Sequence, residues 1–383
     1  MFFRSRARAA VTAVALCAAL GAVSAATAPQ ASAAVTVPNQ TGFELAFSGT
    51  TGSVMGDLCT WPVGNVLGGC NTSNLGLAVM AGTSPAVTPA IGNNFQYELA
   101  YQSTAGILSV AGSLGTGSLG LAMMPGTSPS IATLSDGGYE IAYQSNTGVL
   151  SLTEGGGALS VGVAMDPASS PSITSAGLNG FEVAFQDASH DLEVYGGLGT
   201  ENLGQAMASG TDPSIMNPYT GGYQIAYDAP GGGLVTTGSL GTSAAGQEMP
   251  GTSPDISAAP PTANSPDGFY EITFQGIDGL LWGYGSLLTG PVIDPRSPNG
   301  IQMAPGASPA GVGIDLPAYL GAGTTPGYEM FYEDPAGALR YVIGSAFSSV
   351  YINPASPEGS IAAGTTPAVA NFVPGVPFPI HIH

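Results

Sequence analysis

Acidic and amide side chains recur along this chain at a spacing that places them together on a strand. Glu44, Glu98, Glu140, Glu182, Glu271 and Glu329 stand in one column, with Gln224 in the remaining copy. Four residues after each comes Gln102, Gln144, Gln186 or Gln275, or else Ser48, Asp228 or Glu333. In an extended strand, side chains four apart lie on the same face. Three uses fit such pairs. Two carboxylates could act as the acid and base of a glycosidase. Carboxylate and amide oxygens could accept sugar hydroxyl protons in shallow pockets. The same groups could instead tie buried backbone atoms together. Catalysis needs one constellation and not seven copies, so repetition argues against the first use. The other two stay open, and Glu140, Gln144, Glu271 and Gln275 are carried forward as candidate sugar contacts.

Residues that break the repetition are few. His190 is the one histidine outside the tail, and a Ser-His-Asp triad would have to be assembled around it. The chain has no G-x-S-x-G elbow, H-E-x-x-H helix, P-loop or calcium loop. His381 and His383 in the tail segment PFPIHIH would make only a weak metal pair. Neither an enzyme nor a bound metal or cofactor is expected. Cys59 and Cys70 bracket CTWPVGNVLGGC, which in an exported protein reads as a disulfide closing a hairpin.

The elements that carry these residues are copies of one unit. An aromatic–Glu–aliphatic–x–aromatic run appears as FELAF at 43–47, YELAY at 97–101, YEIAY at 139–143 and FEVAF at 181–185. It continues as YQIAY at 223–227, YEITF at 270–274 and YEMFY at 328–332. Alternation of Tyr139, Ile141 and Tyr143 with Glu140, Ala142 and Gln144 has the period of two of a β-strand. Five residues beyond each run stands Gly52, Gly106, Gly148, Gly232, Gly279 or Gly337, with His190 in the fourth copy. A hairpin reverses there, and glycine accepts the positive φ; histidine is among the side chains that tolerate it. A G-T-S-P-like turn recurs seven times, with its proline at 85, 129, 171, 213, 254, 309 and 367. Shortly before the turn a methionine column holds Met80, Met124, Met165, Met207, Met249 and Met303. Insertions at 288–299 and 316–325 are loop-like in their proline and glycine content.

The phase of the two ends predicts a ring. The first unit lacks a G-T-S-P turn ahead of its aromatic strand, whereas a seventh turn at 364–367 is followed by Ala368, Val369 and Ala370 with no aromatic strand after it. The last strand can therefore complete the first sheet. Seven units of about 50 residues suit four-stranded blades. The predicted fold is all-β: a seven-bladed propeller of four-stranded antiparallel blades, over residues 34–383, closed by the C-terminal strand.

Residues 1–33 have the form of a secretory leader. Arg4, Arg6 and Arg8 precede an Ala/Val/Leu run, and Ala31, Ser32 and Ala33 offer a cleavage site. An N-terminal anchor is the competing reading, though the run is short for a span. No integral membrane span is expected elsewhere, and an extracellular location is. The formal net charge is −20, with no lysine, and beyond the leader only Arg296 and Arg340 are cationic. Nucleic acid is a poor partner for such a body. With only 8% charged residues, the surface must be mostly neutral and polar.

The order S-P-[SA]-[IV], aromatic-[DE]-[VI]-x-aromatic, then G-x-L resembles the PLL-like seven-bladed β-propeller lectins and related secreted actinobacterial repeats. The resemblance spans essentially the whole chain after the leader. It implies a non-catalytic, carbohydrate-binding or cell-surface module with glycan partners. A structural or protein-binding scaffold is the alternative. The lectins carry Leu-Trp after the turn glycine, and here only Leu281-Trp282 keeps it. Sugar rings pack on aromatic faces. Trp282 and Tyr284 are thus the best remaining sugar contacts.

Overall fold

The computed structural model describes residues 40–62, 69–90, 96–113, 115–154, 157–177, 180–218, 221–259, 269–293, 297–317, 324–345, 348–351 and 359–372. The described residues form seven four-stranded antiparallel sheets. Each sheet is a blade, numbered here in chain order of its aromatic–Glu strand. Blade 3 shows the pattern with Ser130–Thr133, Tyr139–Gln144, Val149–Glu154 and Gly157–Ala164. The first strands of successive blades touch one another all the way round, so they surround the axis. The leader at 1–33 and the tail histidines lie outside the described residues.

Closure is as the ends imply. Ala368–Phe372 pairs antiparallel with Gln40–Ser48, from Gly42 opposite Phe372 to Ala46 opposite Ala368. The C-terminal strand is therefore the innermost strand of blade 1, whose other two strands are Ser53–Pro62 and Gly69–Ala78. In this sheet Cys59 stands opposite Cys70 in the backbone register. Their side chains lie outside the described residues, and with them the predicted disulfide.

Alternation decides what each strand buries. In blade 3, Ile141 and Tyr143 enter an apolar cluster with Ala100 and Leu108 of blade 2, while Ala142 enters one with Val183 and Phe185 of blade 4. The same holds at every junction, so the core is seven interblade seams and no single centre. The hairpin glycines take φ between 75° and 83°, and His190 takes 67°, the one positive-φ residue other than glycine among those described.

Hydrogen bonds repeat with the blades. At six of the seven turns the residue before the proline lends its N–H to the matching side chain of the next blade. Ser84 donates to Ser128 Oγ (2.9 Å), Ser128 to Ser170 Oγ (3.0 Å) and Ser170 to Asp212 Oδ1 (2.6 Å). Asp212 donates to Ser253 Oγ (2.9 Å), Ser253 to Ser308 Oγ (2.9 Å), and Thr366 back to Ser84 Oγ (2.8 Å). The residue before the turn proline thus forms a belt that links six of the seven junctions.

Two expectations change. The methionines before the turn occupy two adjacent positions and not one. Val79, Met123, Met165, Met207, Met303 and Ile361, with Glu248, donate N–H to the carbonyl of the hairpin residue. Met80, Met124 and Met249 are one place later and bond the second strand. The two insertions are also less loop-like than their composition. Leu316 and Pro317 pair with Thr325 and Thr324, extending the first hairpin of blade 7. Thr289–Pro291 is the fourth strand of blade 6, and Val292 after it is fully buried in the seam with blade 7. Pairing with a neighbouring strand overrides proline and glycine content there.

Candidate functional site

The repeated polar columns face the next blade and most members are engaged by backbone; Glu329, buried in blade 7, has a hydrogen-bond partner on neither oxygen among the described residues. Glu140 Oε1 accepts the N–H and hydroxyl of Thr153 (2.7 and 3.0 Å) in its own blade. Glu182 Oε1 accepts Leu198 N–H (2.5 Å), and Glu271 Oε2 accepts those of Leu287 and Leu288 (3.1 and 3.2 Å). Gln224, the natural amide in this column, accepts Leu240 N–H (2.9 Å) and donates to Gly241 O (2.9 Å). Apart from Glu140, whose bonds reach the third strand, these side chains hold the turn joining the third and fourth strands. Burial without a cation favours the neutral carboxyl: burial pushes Glu271 up to about 8, and burial aided by the Asp57 charge takes Glu44 to about 8.

The amide column serves the following connector. Nε2 of Gln102, Gln144, Gln186 and Gln275 donates to the carbonyl of Met124, Asp166, Ala208 and Ala304, at 3.0, 3.1, 2.9 and 2.8 Å. Gln186 and Gln275 also accept N–H from Gly210 and Gly306 (3.1 and 3.0 Å). Each therefore locks its blade to the next.

The candidate residues do not share one site. In blade 6 the second strand, Phe269–Gln275, and the third, Leu281–Gly285, are registered with Ile272 opposite Tyr284 and Phe274 opposite Trp282. Trp282 and Tyr284 thus flank the seam with blade 5, half-buried against Phe274 and Ile272. Glu271 and Gln275 are on the opposite face toward blade 7, with Leu281. Glu140 and Gln144 face blade 4 with Ala142.

Trp282 is the anchored member. Its indole N–H donates to Asp278 Oδ1 (3.0 Å), and its ring lies 6.1 Å from that of Phe274, tilted by 34°. A Cβ added at Gly276 would fall 2.4 Å from the indole nitrogen, so glycine is what allows the ring to lie there. Exposed Ile277 extends this edge, and its N–H reaches the carbonyl of Gln247 on the fourth strand of blade 5, Ser243–Gln247 (3.3 Å). Asp278, Gly276 and Gln247 carry no signal alone. Only the unusual tryptophan in its column points toward them.

A second cluster sits on blade 4, where the connectors before and after it meet its hairpin. His190 Nδ1 lies 2.7 Å from Asp166 Oδ2, which also accepts the Ser209 hydroxyl (3.2 Å). The carboxylate is in the middle, so Ser209 meets Asp166 and not the imidazole, and the Ser-His-Asp order of a triad is not formed. Among the described residues, no three His, Cys, Asp or Glu are grouped to hold a metal, and no helix is long and apolar enough to cross a membrane.

No protein-family model and no curated protein matches the sequence. Solved structures do. The BP39L lectin from Burkholderia pseudomallei superposes with a TM-score of 0.61 at 16% identity, covering 85% of this chain and 96% of that one. The chain shares its fold with a bacterial lectin. The fucose-specific lectin from Aleuria aurantia gives 0.48 at 14% identity over 73% of this chain and 95% of its own. AofleA from Arthrobotrys oligospora gives 0.48 at 14% identity over 76% and 89%.

Proposed function

We propose that the protein is a secreted, non-catalytic carbohydrate-binding module whose sugar platform is Trp282 in the groove between blades 5 and 6. The anchored, half-buried indole carries this reading. An aromatic face packs against the C–H side of a pyranose. Asp278 and Gln247 beside it offer oxygens to accept hydroxyl protons, and Tyr284 continues the aromatic wall. The lectin character of BP39L supports the reading at the level of the fold. The leader-like residues 1–33 and the weakly charged surface support export.

The other six grooves favour a scaffold role. At the position of Trp282 they carry Met55, Ser109, Ser151, Glu193, Val235 and Arg340. The Glu and Gln columns are largely engaged by backbone. One sugar per protein is therefore expected. A glycan array followed by calorimetric titration tests this. Trp282→Ala should weaken binding by about tenfold or more, the scale of a lost aromatic contact, with the fold intact by circular dichroism. Silence across the array together with capture of a defined protein partner would favour the scaffold.

A further inference from the structure

The repeat is broken twice at one place, the junction of blades 5 and 6. Blades 2, 3, 4 and 6 have an amide that donates to the next connector, and blades 1 and 7 have Ser48 and Glu333; blade 5 has Asp228, which bears no N–H. Where the other connectors bury Val79, Met123, Met165, Met207, Met303 or Ile361, the one between blades 5 and 6 buries Glu248. Asp228 is 1% exposed and Glu248 0%. Glu248 Oε1 accepts the Thr252 hydroxyl (3.1 Å), but Glu248 Oε2 and Asp228 Oδ1 have no hydrogen-bond partner.

An unpaired buried charge is costly by several kcal/mol, and no counterion is at hand. The described basic side chains, Arg340 and His190, are held by Asp334 and Asp166 in blades 7 and 4. Asp278, on the hairpin of blade 6, is engaged with the Trp282 indole and Leu280 N–H, and Glu271 faces blade 7. The charge that acts on Glu248 is that of Asp228. Asp228 lies on the strand face that carries Ala226 into the seam between blades 5 and 6, and Glu248 is buried at the same junction, so one proton held between the two carboxyls would give both orphan oxygens a partner.

The pair also lies under the sugar platform. Glu248 is bridged in the backbone to Gly276, the glycine on which the Trp282 indole rests. The preceding residue, Gln247, accepts Ile277 N–H.

We propose that Asp228 and Glu248 form a proton-sharing carboxyl pair that sets the bed of Trp282, so that sugar binding in this groove is favoured by acid and lost as the pair ionises. This rests on the carbohydrate reading of the groove. Burial lifts Asp228 to about 6, and burial plus the Asp228 charge lift Glu248 well above the carboxylate range. The pair titrates as a unit. The protonated form binds, so affinity falls as pH rises through about 6 and beyond.

The test uses the two-tryptophan protein with Trp61→Phe, leaving Trp282 as the reporter. Acrylamide quenching of Trp282 is followed from pH 4.5 to 9 without sugar, and methyl α-L-fucoside is titrated at each pH. The double variant D228Q/E248M restores the residues of sister blades, and Glu248→Gln alone keeps the shape without the charge. In the parent, quenching should rise and affinity fall about tenfold for each pKa unit that binding shifts in the pair. The double variant should be flat in both readouts, and Glu248→Gln, which leaves Asp228 alone, should show a smaller response than the parent. Parent emission independent of pH, or variants that titrate like the parent, would overturn the proposal. Flat affinity alongside titrating emission would overturn the coupling to sugar. Titrating emission with no fucoside bound, and a silent glycan array, would uphold the carboxyl switch and remove the carbohydrate reading.

Discussion

At the scale of the residue, most members of the columns that looked most able to do chemistry are occupied in holding backbone. Glu271 is the clearest case, since its Oε2 takes two turn N–H groups and it is held mostly neutral at pH 7. Blade 5 has made the exchange already, with Gln224 on the equivalent turn. Glu271→Gln should therefore shift unfolding by less than about 1 kcal/mol. Glu271→Leu should cost about 1–3 kcal/mol, because two turn N–H groups lose their acceptor. Urea denaturation of both variants checks this, and equal losses would mean the bonds are not what the carboxyl is for. Trp282 differs from these residues because it is a departure from its column and not a member.

At the scale of the element, a blade is completed by its neighbours. At six of the seven junctions the turn ahead of a first strand receives an N–H from another blade's turn, and the second strands of blades 1, 2, 3, 4 and 6 lock the connector that follows. The strand Ala368–Phe372 does this for blade 1 from the far end of the chain, and Thr366 joins the belt to Ser84. Deleting residues 364–383 leaves blade 1 with three strands, a bare inner edge and two opened seams. The deletion should lower the melting temperature of the whole domain in a single transition, well beyond the few degrees of a surface change. A truncated protein that melts like the parent would show that closure contributes little.

At the scale of the molecule, buried acids without cations set the pH dependence of stability. Burial raises Glu44 and Glu271 to about 8, Asp212 to about 7 and Asp228 to about 6. Unfolded carboxyls titrate near 4. The folded state thus binds more protons between about pH 4 and 8, and stability falls as pH rises through that window. Asp334, lowered by its backbone bonds and Arg340, works the other way but is one group. Self-repulsion at a net charge of −20 adds to the loss at high pH. Calorimetry should find a higher melting temperature at pH 5 than at pH 8, and the reverse order would mean these acids ionise inside the fold at little cost.

Strand identity, hairpin glycines, blade number and ring closure were all legible in the chain, because alternation, turn chemistry and the phase of a repeat are local properties carried by neighbours in sequence. The hairpin register that puts Trp282 opposite Phe274, and so away from Glu271, was not. Neither was the meeting of His190 with Asp166 and Ser209, nor the serine belt whose partners are a whole unit apart. Those contacts exist only once seven sheets are packed face to face, since which side chains meet across a seam depends on pairing register and on the closed ring, and neither is written in any single unit.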